Sequence, residues 1–230
     1  NQLLKTISGF RELEVIQTGI SFRRNALESF SGFDNLKTIG FFGISDNTGV
    51  CVLDGFNKLE TMTSDFATYN VQISDLSGFN NLQSLRWMRL NETSINNFTG
   101  FQSLKTIEVS FEISYCHIDL FEGFSNLLEI GEDLNINLST GFDKIGGFNK
   151  LESIGDYFSI AYNDDLADIG TLNEIQKVGG TIGIFGNPKL STCNINIVCK
   201  LLEEGKAFVG DNKEGCNTKD EVLQQCRGGL

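Results

Sequence analysis

A Gly-Phe dipeptide returns at Gly9, Gly32, Gly55, Gly78, Gly100, Gly123 and Gly147, and each copy opens the phrase Gly-Phe-x-x-Leu-x-x-Ile or a close variant of it. The period is about 23 residues with slips of only one, too regular for a globular domain with a single closed core. A repeat of this length is one supersecondary unit that cannot bury its apolar face alone and does so by stacking on its neighbours. The chain is therefore expected to be a stack of coils. Its 40% hydrophobic content suits a continuous core, and 25 Gly against one Pro suits many tight turns without rigid linkers.

Counted from each Gly, apolar side chains fall near +1, +4, +7, +11, +13, +18 and +21, as in Phe10, Leu13, Ile16, Ile20, Phe22, Leu27 and Phe30. Only the +11/+13 pair has the two-residue alternation of a strand. One strand per turn is thus predicted, at 20–22, 42–44, 66–68, 88–90, 111–113, 134–136, 158–160 and 182–184. Equivalent strands must lie parallel about 4.8 Å apart, and crossovers between parallel strands favour a right-handed coil. The repeated Phe is expected to stack as an internal ladder, and Phe33, Phe56 and Phe79 to be buried. The repeated Gly has two readings, a left-handed backbone position or close approach of adjacent coils. A second ladder is expected from Asn25, Asn47, Asn163 and Asn187, whose amides can satisfy the backbone of the neighbouring coil.

The fold class expected is mainly β: a right-handed parallel solenoid of about eight turns over residues 1–192, closed by a small α/β cap over 193–230 in the same structural unit. In the cap, Ile195 to Glu204 reads as a helix, Ala207–Val209 as a short strand, and Thr218-Lys219-Asp220-Glu221 as a capping box opening a last helix. Four of the six cysteines lie here, at Cys193, Cys199, Cys216 and Cys226. Two disulfides stapling the cap, or a zinc ion, would explain them. No close Cys-x-x-Cys pair is present, which favours disulfides and an oxidising compartment. Cys51 and Cys116 are separated by about three turns and are expected to be buried free thiols.

With net charge −12, phosphate backbones and anionic lipid are disfavoured partners. No apolar run approaches the roughly 20 residues of a membrane span, so no direct membrane insertion is expected. Asn1-Gln2-Leu3-Leu4 lacks the basic start and apolar block of a signal peptide, and Leu4 and Ile7 fit the end of a preceding turn, as in a trimmed or processed chain.

The phrase with its Φ-x-Φ strand resembles leucine-rich repeats, and more closely the receptor L domain, the β-helical module of insulin- and epidermal-growth-factor-type receptors. It is most similar to secreted surface proteins of Bacteroidetes-type bacteria built from such repeats. Gly186-Asn187-Pro188-Lys189-Leu190 leading to Cys193, and the tail through Cys199, Cys216 and Cys226, match the end of those proteins. The resemblance covers about residues 1–226 and implies an exported, extracellular or cell-surface protein with a recognition or adhesive role. By analogy with leucine-rich caps it pairs Cys193 with Cys216 and Cys199 with Cys226.

Little in the residues points to catalysis. A β-helical polysaccharide lyase or hydrolase would need converging carboxylates, for which Glu112 and Asp133 on adjacent turns are the candidates. The single histidine, His117, lies at a coil corner without a nucleophile nearby in sequence. Phosphate-binding, dinucleotide and metal-binding motifs are absent, so no enzyme, cofactor or metal is expected. Large outward residues flanking the strands suggest a binding surface for a protein or a carbohydrate instead: Phe41, Tyr69, Trp87, Tyr157 and Phe185, with Arg89 beside Trp87. Tyr69, Trp87 and Arg89, on turns three and four, are the expected centre of that surface. A passive spacer within a larger surface protein is the alternative.

Overall fold

The computed structural model describes residues 3–228 and is a parallel β-solenoid of about nine turns. Its front ladder consists of β1 (Ile20–Arg23), β2 (Phe42–Ser45), β3 (Asp65–Asp75), β4 (Trp87–Asn97), β5 (Phe111–Ser114), β6 (Leu134–Asn137), β7 (Phe158–Ala161), β8 (Ile182–Phe185) and β9 (Ala207–Gly210). The register is in phase throughout, so Ile20, Phe42, Phe66, Met88, Phe111, Leu134, Phe158, Ile182 and Ala207 form one inward column. From Phe42 to Ile182 every member is fully buried. A second ladder of eight two-residue strands, from Val15–Ile16 to Lys177–Val178, lines another side of the coil.

The repeated Phe forms the expected ladder. Phe10, Phe33, Phe56, Phe79, Phe101, Phe124 and Phe148 follow one another at 5.0–5.8 Å between ring centroids, with interplanar angles of 6–16°. Phe33, Phe56 and Phe79 are 2%, 0% and 0% exposed. Both readings of the Gly hold, at different copies. Gly32 sits at φ +83°, where a side chain would be strained, whereas a Cβ on Gly78 would stand 2.5 Å from the Leu53 carbonyl oxygen of the preceding coil.

A left-handed residue turns the corner after the front ladder in all nine turns. Arg24, Asp46, Asn70, Glu92, Tyr115, Leu138, Tyr162 and Asp211 have φ between 48° and 58°, and Gly186 holds the same place at 66°. For non-glycine residues this conformation costs roughly 1–2 kcal/mol each. Hydrogen bonds made by the next residue offset that cost, because it turns inward and ties adjacent coils together. The Cys116 N–H donates to Ser139 Oγ, Ser139 N–H to Asn163 Oδ1, Asn163 N–H to Asn187 Oδ1 and Asn187 N–H to Asn212 Oδ1, all at 2.9–3.1 Å. In return the Asn187 amide donates to the Ile160 carbonyl at 3.1 Å. The ladder thus runs further than Asn163 and Asn187, through Ser139 on one side and Asn212 on the other. Nearer the N-terminus, the buried Asn47 side chain both accepts from and donates to the Leu27 backbone at 2.8 Å. Where the inward place holds β-branched Val71 or Thr93, β3 and β4 run on round the corner for 11 residues.

The expectation of eight turns is corrected to about nine. The short strand expected in the cap at Ala207–Val209 extends over Ala207–Gly210, pairs parallel with β8 in the same register and is the last rung of the front ladder. Helix α1 (Asn196–Glu203) buries Ile197, Val198, Leu201 and Leu202, and α2 (Lys219–Gly228) buries Val222; both pack against β9. The disulfides are Cys193–Cys216 and Cys199–Cys226, as the resemblance implied. At the start of α2 the capping box is modified. The Glu221 N–H takes Thr218 Oγ1, but the Glu221 carboxylate reaches past Thr218 to the N–H groups of Asn217 and Gly215, at 3.1 and 2.7 Å. Cys51 and Cys116 are free and buried, and desolvation pushes both thiols up to about 11. No helix among the described residues is long and apolar enough to cross a membrane.

Candidate functional site

Alternation along each front strand sends every second residue outward, and the in-phase register lines these residues into three columns. One column carries Phe41, Asp65, Trp87, Ser110, Asp133 and Tyr157 just before or at the strand starts. The next carries Gly43, Ala67, Arg89, Glu112, Asn135, Ser159, Gly183 and Phe208. The third carries Tyr69, Asn91, Ser114, Asn137, Ala161 and Phe185.

Trp87 and Arg89 come together on β4. The Arg89 guanidinium lies 5.1 Å from the Trp87 ring centroid, and that of Arg86 lies 4.2 Å away. Both are within cation–π range. Arg89 is also held by carboxylates of the flanking rungs, Asp65 at 2.9 Å and Glu112 at 3.7 Å. The size of Trp87 and Arg89 therefore has a local packing partner as well as an outward surface. Tyr69, 43% exposed, is on the adjacent rung but in the far column, opposite Ser45 and Asn91. Its hydroxyl faces Glu92, whose negative charge, helped by lost hydration and a hydrogen bond, raises the phenol above its ordinary value. The three residues form a diagonal across the face rather than one compact cluster.

Phe41, Tyr157 and Phe185 share a different device. The Phe41 ring lies over Gly43. A Cβ on Gly183 would meet Tyr157 Oη at 2.7 Å and Phe185 Cε2 at 3.3 Å. Aromatic rings are thus laid across glycine floors. Phe208, on β9 directly opposite Gly183 and 52% exposed, extends this second aromatic area. Sequence reasoning missed Phe208 because it lay in a segment read as cap; the alternation Ala207-Phe208-Val209 was the available signal.

The carboxylate pair is occupied. Glu112 is engaged with Arg89, its in-register neighbour on β6 is Asn135, and Asp133 Oδ1 accepts the Tyr157 N–H at 3.1 Å. His117 is at an exposed corner, with Nδ1 3.1 Å from Thr140 Oγ1 and Nε2 3.3 Å from Asp119. Among the described residues no group of three His, Cys, Asp or Glu could hold a metal ion. Comparison with protein-family models, curated proteins and solved structures found no match.

Proposed function

We propose that this chain is an exported recognition or adhesion module of the receptor L domain or leucine-rich-repeat type, binding a protein or glycan through the front face of its solenoid. The observation that carries this reading is the Trp87–Arg89 pair, with Arg86, on a strand face whose neighbouring outward residues are mainly small and polar. Trp, Tyr and Arg are the residue types that dominate binding energy at protein interfaces, and ring faces also stack on sugars. Two disulfides support export, since such bonds persist in oxidising compartments.

The test is an array of glycans and extracellular proteins probed with the wild type and with Trp87→Ala/Arg89→Ala. The Arg89–Glu112 pair is exposed at both ends and contributes about 1 kcal/mol or less, and a urea melt of the double variant checks that it is folded before binding is compared. Trp87 is the one tryptophan, so its fluorescence reports ligand arrival at this place alone. The expected result is a ligand bound by the wild type and at least tenfold weaker with the double variant. A ligand bound equally by both places the site elsewhere.

A further inference from the structure

On the side of the second ladder, away from the front strands, a groove of about 510 Å³ runs along the solenoid. Two columns of side chains form it. Lys37, Glu60, Gln83 and Lys105 occupy the place just before successive short strands, and each N–H after the first bonds the carbonyl of the one before. Lys58, Asn81, Ser103 and Asn126 stand in the parallel column two residues earlier in each turn. Lys37 to Asn126 spans five turns, about 19 Å at the rung spacing of a parallel ladder.

The charge of this groove opposes that of the molecule. The chain carries 18 basic against 30 acidic residues, yet three lysines and a single glutamate line the groove. Lys37 is paired with Glu14 at 2.9 Å, at the groove's N-terminal end. The Lys58 ammonium donates to the neutral Asn35 amide at 2.7 Å, and among the described residues neither it nor Lys105 has a carboxylate partner within 4.0 Å. The Glu14 carboxyl is held below its ordinary value first by the hydrogen bond from Lys37, then by the charge of Lys37 and, more weakly, that of Lys58. Amides fix the remainder of the wall, with Asn81 and Asn126 donating to the Asn57 and Gln102 carbonyls at 2.6 and 2.8 Å, and the Asn126 oxygen accepting from the Lys150 ammonium at 2.7 Å.

We infer that this groove binds an extended anionic polysaccharide, a chain carrying carboxylate or sulfate groups at intervals. The lysines are spread along a linear trough and separated by amides, a hydroxyl and the one carboxylate, Glu60, which suits spaced charges with sugar hydroxyls between them. A single-stranded nucleic acid is held largely by bases stacked on aromatic side chains, and the groove is lined by lysines, amides, a hydroxyl and a carboxylate instead. The site is separate from the front face and does not depend on the reading given for it.

Isothermal titration at low salt with oligogalacturonate, dextran sulfate oligomers, a neutral oligoglucan and single-stranded RNA tests the proposal. Oligogalacturonate, dextran sulfate or both should bind, and the neutral glucan should not. Lys58→Gln/Lys105→Gln should weaken the interaction at least tenfold, whereas Trp87→Ala/Arg89→Ala and the charge-matched control Lys206→Gln/Lys213→Gln should leave it within twofold. Absence of binding by both anionic glycans, an equal loss in the control, a loss in the front-face variant, or RNA held as tightly through the same lysines would each overturn it.

Discussion

The two ends of the stack solve the same problem to different degrees. At the C-terminal end the core column finishes in Ala207, 5% exposed, behind two helices and two disulfides, with Cys193, Cys216 and Val222 fully buried. At the N-terminal end Phe10 and Leu13 are 44% and 37% exposed, although Phe33 and Leu36 in the same columns one turn on are 2% and 0%. An apolar recess of about 220 Å³ opens there, lined by Ile7, Phe10, Leu13, Ile16, Ile20 and Phe22. A coil with neighbours on both sides buries what an end coil leaves wet, so burial in a solenoid is a property of position in the stack more than of the repeat itself.

If that difference governs stability, the closed end should be the costlier one to disturb. Replacing both cysteine pairs by alanine should lower unfolding free energy in urea by about 3 kcal/mol per bridge, the loop-closure entropy of spans of 23 and 27 residues. Within the ladder of rings, Phe56→Ala should cost about 3–5 kcal/mol through the cavity it leaves, and Phe10→Ala less than about 1 kcal/mol because Phe10 is already half in water. Equal effects at the two positions would break the comparison.

Asparagines sharpen it further. Asn187→Ala leaves the Asn163 N–H and the Ile160 carbonyl of the preceding coil without their partner and should cost about 1–3 kcal/mol by chemical denaturation. Asn25 donates only to the nearby Arg23 carbonyl, so Asn25→Ala should cost no more than about 1 kcal/mol. The smallest effect is expected from acid. Backbone donors hold the Glu221 carboxyl below its ordinary value, so its contribution is present above the unfolded value near 4.5 and is lost as pH falls through the depressed folded value. Protease sensitivity of α2 should rise in that acid range in the wild type and much less steeply in Glu221→Gln.

How much could be read in advance depends on which atoms repeat. The Gly-Phe-x-x-Leu period is visible because the same inward side chains recur, and it located the front strands, the ring ladder and the buried thiols. The left-handed corner left no such trace. Arg24, Asp46, Asn70, Glu92, Tyr115, Leu138 and Tyr162 have nothing chemical in common, since each points outward and the stacked backbone imposes the conformation. The ninth rung was hidden because its inward column narrows from Phe, Met, Leu and Ile to Ala207, inside a cysteine-rich segment of different composition. On the front face Trp87 and Arg89 were legible as outward residues, but Asp65, Glu112 and Phe208 join them only once the rung register is known. The groove lysines are likewise distant in sequence and meet through the stacking of turns.

Native-state hydrogen exchange tests the central claim most directly, that each turn is held by its neighbours and the stack is closed at one end. Amides of β8, such as Ile182 and Ile184, should exchange only through large-scale unfolding, while those of Ile16 and Ile20 should exchange at least about tenfold faster through local opening. Protection should rise in steps from β1 towards β8. Uniform protection along the front ladder, or a C-terminal end that opens before the N-terminal one, would contradict the account.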